Sequence, residues 1–573
     1  MKTIKRRKTV HDLVIRNGTV IDGTGQSGFK ADIAISGERI TAVGDVSDAA
    51  YQTIDATDRL VTPGFIDTHT HMDAQFMWDP LGTPTCWHGI TTLILGSCGV
   101  SFAPVKQADH MVLAKVLESV EGIPAESIMS SLRWNWETFG EYYDALDACP
   151  KGVNVCGMIG HAATRYHAMG EESLKRDRNP TPDEMKTMQA SIDEAMEAGA
   201  LGFSTSRTLT HKTSEGIPIP GTFAHLDELV ALAQAVGRHN KGIFQWAPGF
   251  GEYEDYPTTE YPETRKEIHR IAEVNRQGGC PVIFSAFTHE AVPTIQTLYL
   301  GWLDEERAAG AQARPMVSSR VNTVMVGLCN WMPIRDVNAW RELYSLPYPE
   351  RLTAIQDEKI RTGLLDIPAE SDERLGKMLY RFGPAACEYV RKSENLLCNI
   401  ADQNNERPIE TIVRLFHETG GRQLFAFATN NHNLAHVEEV VRYRDTLLGL
   451  GDAGAHVNAI CDASLSTHAL TYWHGERQVF SLEETIRRLT SDGAEAFGIP
   501  ERGLLKPRYY ADVNVIDAEN LRMEIPEFVY DLPVGAGRWT QRARGYDYTL
   551  VNGKVIVEND NHTGRLVGKL IRI

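Results

Sequence analysis

The chain has 573 residues, of which 42% are hydrophobic and 23% charged, the balance of an ordinary globular protein. That length is too great for one small core and implies two or more domains, or one large α/β domain with additions. With 58 basic and 76 acidic residues the net charge is −18, which argues against nucleic acid or an anionic membrane as partner, because both need a basic face.

The N-terminal stretch MKTIKRRKTVHDLVIRNG is basic but lacks the apolar core of a secretory signal. No apolar run reaches the roughly eighteen residues of a membrane span. The nine cysteines are odd in number and include no Cys-x-x-Cys pair, so they read as thiols of a reducing compartment, and a cytoplasmic location is expected.

In chain order, DLVIRNGTVIDG (12–23) reads as a strand, an Asn-Gly turn and a second strand, and KADIAISGERITAVG (30–44) adds further strands. Eight short apolar runs follow: VTPGFIDTHTH (61–71), GITTLILGSC (89–98), GVNVCGMIGH (152–161), GALGFSTS (199–206), KGIFQWAP (241–248), CPVIFSAFTH (280–289), ARPMVSSRV (313–321) and TLLGLGDAGAH (446–456). Amphipathic helices such as TPDEMKTMQASIDEAMEAG (181–199) and HLDELVALAQAVGRHN (225–240) lie between them. Apolar strands alternating with helices mean a parallel sheet covered on both faces, and eight of them predict an α/β fold of the (β/α)8 TIM-like barrel type. An open doubly wound sheet is the alternative; it wants a Gly-rich phosphate loop after the first strand, where DTHTH stands instead. Residues 322–445 are too long for a simple connector and read as an insertion of helices, with one strand at RQLFAFATN, expected to cover the active site and shape substrate choice. At the far end, ADVNVIDAENLRM (511–523) and YTLVNGKVIVEND (548–560) repeat the strand-rich form of the start. Residues 1–61 and 505–573 are therefore predicted to be the two parts of one small β-sandwich domain, with residues 62–504 forming the catalytic barrel.

In such barrels the chemistry sits at the C-terminal strand ends. His69 and His71 have period-2 spacing, which on a strand puts both imidazoles on one face, about 7 Å apart at the backbone. Imidazole with thiolate and carboxylate favours Zn2+ over harder cations. Asp67 and Asp73 flank the pair, and a bare polar loop is the competing reading. Cys98 ends the second run, where its thiolate would lie beside the histidines, unless it is simply a buried cysteine. Asp452, in GLGDAGAH, can face both a metal and its water, which suits a general base; an Asx turn is the bland alternative. Arg165, Arg207 and Arg320 lie just past strand ends and could grip a substrate carboxylate through paired hydrogen bonds. Lys212 is a weaker candidate. His456, His468 and His474 follow the last run, with His456 a candidate for the pocket wall. Trp331 and Trp340 could form an acyl pocket, though core packing is the plainer reading.

The ordered motifs PGFIDTHTHMD, GITTLILGSCGVSFAP, GHAATR, GALGFSTS and GLGDAGAH, together with LVIRNGTVIDGTG, ITAVG and ADVNVIDAENL at the ends, resemble the amidohydrolase superfamily, and within it the D-aminoacylase branch of N-acyl-D-amino-acid deacylases. The resemblance spans nearly the whole chain. It implies removal of an acyl group from N-acyl-D-amino acids by a metal-bound hydroxide, with His69 and His71 as metal ligands. It also implies that Cys98 stands where other amidohydrolases carry a bridging lysine, and that Asp452 is the catalytic aspartate. The smaller family members carry metal-binding histidines at the ends of strands five and six. This chain has Gln245 and Ser285-Ala286 there, with His289 three residues on. One zinc ion, held by His69, His71 and Asp452 with Cys98 close, is therefore expected rather than two, with His161 and His289 as candidate further ligands. Two alternatives stay open: a hydrolase of another amide (a cyclic amide, an N-substituted formamide or a small peptide), and a non-catalytic relative serving as a binding protein. The expected partner is a small-molecule amide, and a homo-oligomer is left open.

Overall fold

The computed structural model describes residues 10–573 apart from 257, 291, 335 and 384–388; the basic stretch 1–9 and Cys387 lie outside the described residues. The eight apolar runs each hold one strand of a parallel barrel: Phe65–Asp67, Ile90–Leu95, Asn154–Gly157 with Ile159–Gly160, Gly202–Ser206, Ile243–Ala247, Val282–Ser285, Arg314–Val317 and Leu447–Leu448. Neighbours pair in parallel in this order. The ring closes between first and last strands through a parallel bridge from Thr70 to Ala453. Ile66, Ile94, Met158, Leu201, Ile243, Ile283, Met316 and Leu447 fill the barrel interior beneath its C-terminal mouth.

The helices form the outer layer. Pro182–Glu197 starts with a capping box in which Thr181 accepts from the Glu184 N–H and Glu184 accepts from that of Thr181, so the predicted helix begins where its sequence signal lies. Leu226–Gly237 buries Leu229, Leu232, Ala233 and Val236 against the strands.

Strands from both chain ends share one nine-stranded sheet, joined where Leu60–Pro63 runs antiparallel to Val513–Ile516. Its strands are linked in one connected hydrogen-bonded path. Its first strand, Val10–Val20, pairs with Phe29–Ser36 on one edge and with Ala49–Asp55 and then Leu60–Pro63 on the other. Asn17-Gly18 does not make the predicted hairpin turn. It forms a bulge inside this single strand, with Asn17 at φ 64°, and the bulge bends the sheet around a shared core that includes Leu13, Ile33, Val61 and Val513. The second Asn-Gly, Asn552-Gly553, does turn a hairpin between Tyr546–Val551 and Lys554–Glu558, both residues at positive φ.

The segment after the seventh strand builds an antiparallel sheet, Asn322–Gly327, Leu424–Asn430 and Tyr380–Phe382, backed by helices that include Asn338–Ser345 and Pro408–Glu418. It has its own core around Trp340, Phe416 and Phe425. The later part, Leu434–Arg442, packs its apolar face into the barrel's main core. Among the described residues no helix is long and apolar enough to cross a membrane.

Candidate metal centre

The ends of three barrel strands are stitched together by their backbones. The Thr70 N–H donates to Ile94 O at 3.0 Å, the His71 N–H to Ala453 O at 2.8 Å, and the Asp452 N–H to His69 O at 3.0 Å. These bonds fix the positions of His69, His71 and Asp452. His69 Nε2 lies 3.2 Å from Cys98 Sγ and 3.3 Å from Asp452 Oδ1, and His71 Nε2 lies 3.7 Å from the same oxygen. One ligand atom each from His69, His71 and Cys98 fall within 4.8 Å of one another. Cys98 and Asp452 both hold left-handed backbones, φ 54° and 45°, which the surrounding strands must enforce.

Asp67 and Asp73 brace this loop. Asp67 Oδ1 accepts from the His69 and Gly451 N–H groups, both at 3.2 Å. Gly451 is required there, because a Cβ would sit 1.9 Å from Asp67 Oδ2. Asp73 accepts from the Gly96 N–H at 3.2 Å. Burial pushes both carboxyls up to about 7.

The chemistry of the cluster fits a soft divalent cation. Burial holds His69 at about 3 and His71 well below the usual imidazole value, so both rings are neutral and present lone pairs. Burial, with Asp452 and Glu121 adding to it, pushes the Cys98 thiol up, a preference that a coordinating cation reverses. Asp452 Oδ1 is buried with no aligned donor among the described residues, which costs about 1–3 kcal/mol unless something positive satisfies it.

The cluster opens into a cavity of about 600 Å3 whose wall includes His71, Cys98, Asp452, His456, His289 and, from the insertion, Asn322, Thr429 and Asn430. Where the resemblance leads one to look for histidines, Gln245 is fully buried and its Oε1 accepts from the Cys98 N–H at 3.0 Å, and the buried Ser285 Oγ has no hydrogen-bond partner among the described residues.

Several sequence candidates lie elsewhere. His161 does not line the cavity; its Nε2 meets Glu228 at 3.0 Å and its Nδ1 meets Thr205 Oγ1 at 2.8 Å. Arg165 joins the same carboxylate at 2.8 Å. Arg207 pairs with Glu267 at 3.0 Å, and Arg320 is fully buried against Asp462 and over the Tyr389 ring. None of these arginines lines the cavity, because each is closed off by a buried acid far away in sequence. His289 lines the cavity but does not join the ligand cluster. His468 binds Ser319 and stacks on Tyr472, His474 binds Phe480 O, and Trp340 donates to Leu364 O in the insertion core.

Two residues escaped the sequence reading. His211, next to Lys212, lines the cavity and is oriented by Ser206 Oγ at 2.9 Å from its Nδ1. Glu121 lies against His71; its signal was an acidic residue at the C-terminal end of a helix, where the helix dipole disfavours it.

A parallel eight-stranded barrel with a His-x-His, Cys and Asp cluster at its C-terminal mouth is the architecture of a metal-dependent hydrolase. The chain matches the amidohydrolase family over residues 52–328 and 329–557, and it belongs to that family. It is 25% identical to a D-aminoacylase of Alcaligenes xylosoxydans xylosoxydans, over 98% of this chain and 97% of that one. It is 28% identical to an N-acyl-D-glutamate deacylase of the same organism, over 95% and 93%. In fold it resembles an N-acyl-D-glutamate deacylase from Bordetella bronchiseptica solved with zinc and a phosphonate inhibitor, with a TM-score of 0.65 at 22% identity, covering 99% of this chain and all of that one.

Proposed function

We propose that the chain is a zinc-dependent hydrolase that removes the acyl group from N-acyl-D-amino acids. The observation that carries this reading is the convergence of His69 Nε2, Cys98 Sγ and Asp452 Oδ1 at the mouth of the barrel. The names of the relatives aligned over nearly the whole chain support the substrate class. His69, His71 and Cys98, with Asp452, would hold one zinc ion, since Gln245 and Ser285 offer neutral groups where a second ion would need ligands. When bound, zinc polarises the amide carbonyl and acidifies water. The Asp452 carboxylate takes the proton of the attacking water and returns it to the leaving nitrogen. Arg165, Arg207 and Arg320 are engaged elsewhere, so the substrate carboxylate falls to donors on the cavity wall such as His211, His289 and His456.

A second reading, hydrolysis of an uncharged amide such as a cyclic one, is favoured by the absence of lysine and arginine from the described residues of that wall. The test is metal content per chain, followed by hydrolysis of paired N-acetyl-D- and N-acetyl-L-amino acids before and after chelation. About one zinc with D-selective hydrolysis lost on chelation is expected. Zinc with hydrolysis of cyclic amides alone selects the second reading, and neither metal nor hydrolysis overturns both in favour of a binding protein.

A further inference from the structure

We infer that Glu121 is a positioning residue for the metal centre, holding His71 in the tautomer that presents Nε2 to the ion; the inference rests on the metal reading above.

Glu121 is the last residue of the helix His110–Glu121 and is 1% exposed. Its Oε1 lies 3.0 Å from His71 Nδ1. Among the described residues neither carboxyl oxygen has an aligned hydrogen bond, and burial, with Asp452 and Asp73 adding to it, raises the group well above the usual carboxyl value while the His456 backbone opposes this. The location is doubly unfavourable for a carboxylate, being both buried and at the negative end of a helix dipole. Nothing about helix stability accounts for an acid there. Its contact with His71 does.

A neutral imidazole has one N–H and one lone pair. With a cation at the cluster offsetting its burial, an ionised Glu121 at Nδ1 favours the proton on that nitrogen, which leaves the Nε2 lone pair facing Asp452 Oδ1 and the ligand cluster. The helix end is itself tied to the catalytic loop: the Val457 N–H donates to Glu121 O at 3.0 Å, and Asn458 packs on Gly122. Glu121 thus couples the loop carrying Asp452 to the orientation of His71. Among the described residues His69 has no such partner, since its Nδ1 is buried without a hydrogen bond. Outer partners of this kind typically raise metal affinity about 10- to 100-fold.

The experiment measures zinc affinity by competition with a chromophoric chelator, together with the melting temperature of the metal-free protein. Glu121→Ala is expected to weaken zinc about 10- to 100-fold, and Glu121→Gln less, because its carbonyl still accepts from Nδ1. In a His71→Ala background Glu121→Ala should add little, as expected for two residues acting as a unit. Glu228→Gln, which breaks a buried acid–histidine pair outside the cavity, should lower the melting temperature and leave zinc affinity unchanged. Wild-type affinity in Glu121→Ala, or an undiminished effect of it in the His71→Ala background, overturns the inference alone. A wild-type chain that takes up no zinc overturns the metal reading and this inference with it.

Discussion

Asp452→Asn separates the role of this side chain in the reaction from its cost to the fold. Asparagine is nearly isosteric and tolerates the left-handed backbone at φ 45°, whereas alanine there would add about 1–2 kcal/mol of strain. The variant keeps the loop and removes the proposed proton acceptor. Loss of a general base costs about 10²- to 10⁴-fold in kcat, or about 2.7–5.4 kcal/mol of barrier. The metal-free fold should respond in the opposite direction. Burial, with Asp462 and Asp67 nearby, raises the Asp452 carboxyl well above its usual value. For an acid whose folded value is raised, the folded state binds more protons than the unfolded one, so its contribution to stability falls as pH rises from about 3.9 towards the folded value. Asparagine escapes that loss and leaves no unpartnered buried charge. The chelated variant should therefore melt at or above the wild type at neutral pH, by about 1–3 kcal/mol, and the difference should shrink as pH falls towards 4. The assays are kcat at saturating zinc and substrate, and calorimetry of chelated protein across pH. A kcat within tenfold of wild type, or a chelated variant melting well below wild type, refutes the reasoning.

Three further outcomes follow from the same geometry. Cys98→Ser keeps the size and the backbone but exchanges a thiolate for a poor ligand, so zinc affinity should fall more than about 100-fold, beyond the effect of an outer partner; chelator competition measures it. Arg320→Met leaves Asp462 charged, buried and unpaired, and should cost about 3–5 kcal/mol of stability, read as a lowered midpoint in urea; an unchanged midpoint contradicts the buried pair. Asn430→Ala removes a polar group that the insertion contributes to the cavity wall, and should raise KM about 2- to 10-fold with kcat nearly unchanged; equal losses in both would place Asn430 against the reacting atoms instead.

The barrel was legible because its signals are local. Each apolar run is a few residues long and buried on both sides, and the helix Pro182–Glu197 carries its own cap in Thr181 and Glu184. The His-x-His pair was legible as a short-spaced pattern, although His69 and His71 stand just past the strand Phe65–Asp67, on either side of Thr70, which bridges to Ala453. Partners distant in sequence were not. Arg165, Arg207 and Arg320 stand past strand ends, where a substrate-binding arginine could stand, but the acids that occupy them, Glu228, Glu267 and Asp462, lie 60 or more residues away. The two Asn-Gly pairs carry the same turn signal; one turns a hairpin and the other bulges, because Thr19 and Val20 find partners in both Phe29–Ser36 and Leu60–Pro63 that keep their strand going.

By itself, then, the sequence determined the alternation of strands and helices, the kinship, and the imidazoles, thiol and carboxylate suited to a soft metal, since all of these depend on residue type and short spacing. Only the tertiary structure decided that Cys98 and Asp452 close on His69, that three arginines are spent on buried acids, and that Glu121 faces His71. Each of those contacts joins segments that chain folding, and no local propensity, brings within hydrogen-bonding distance.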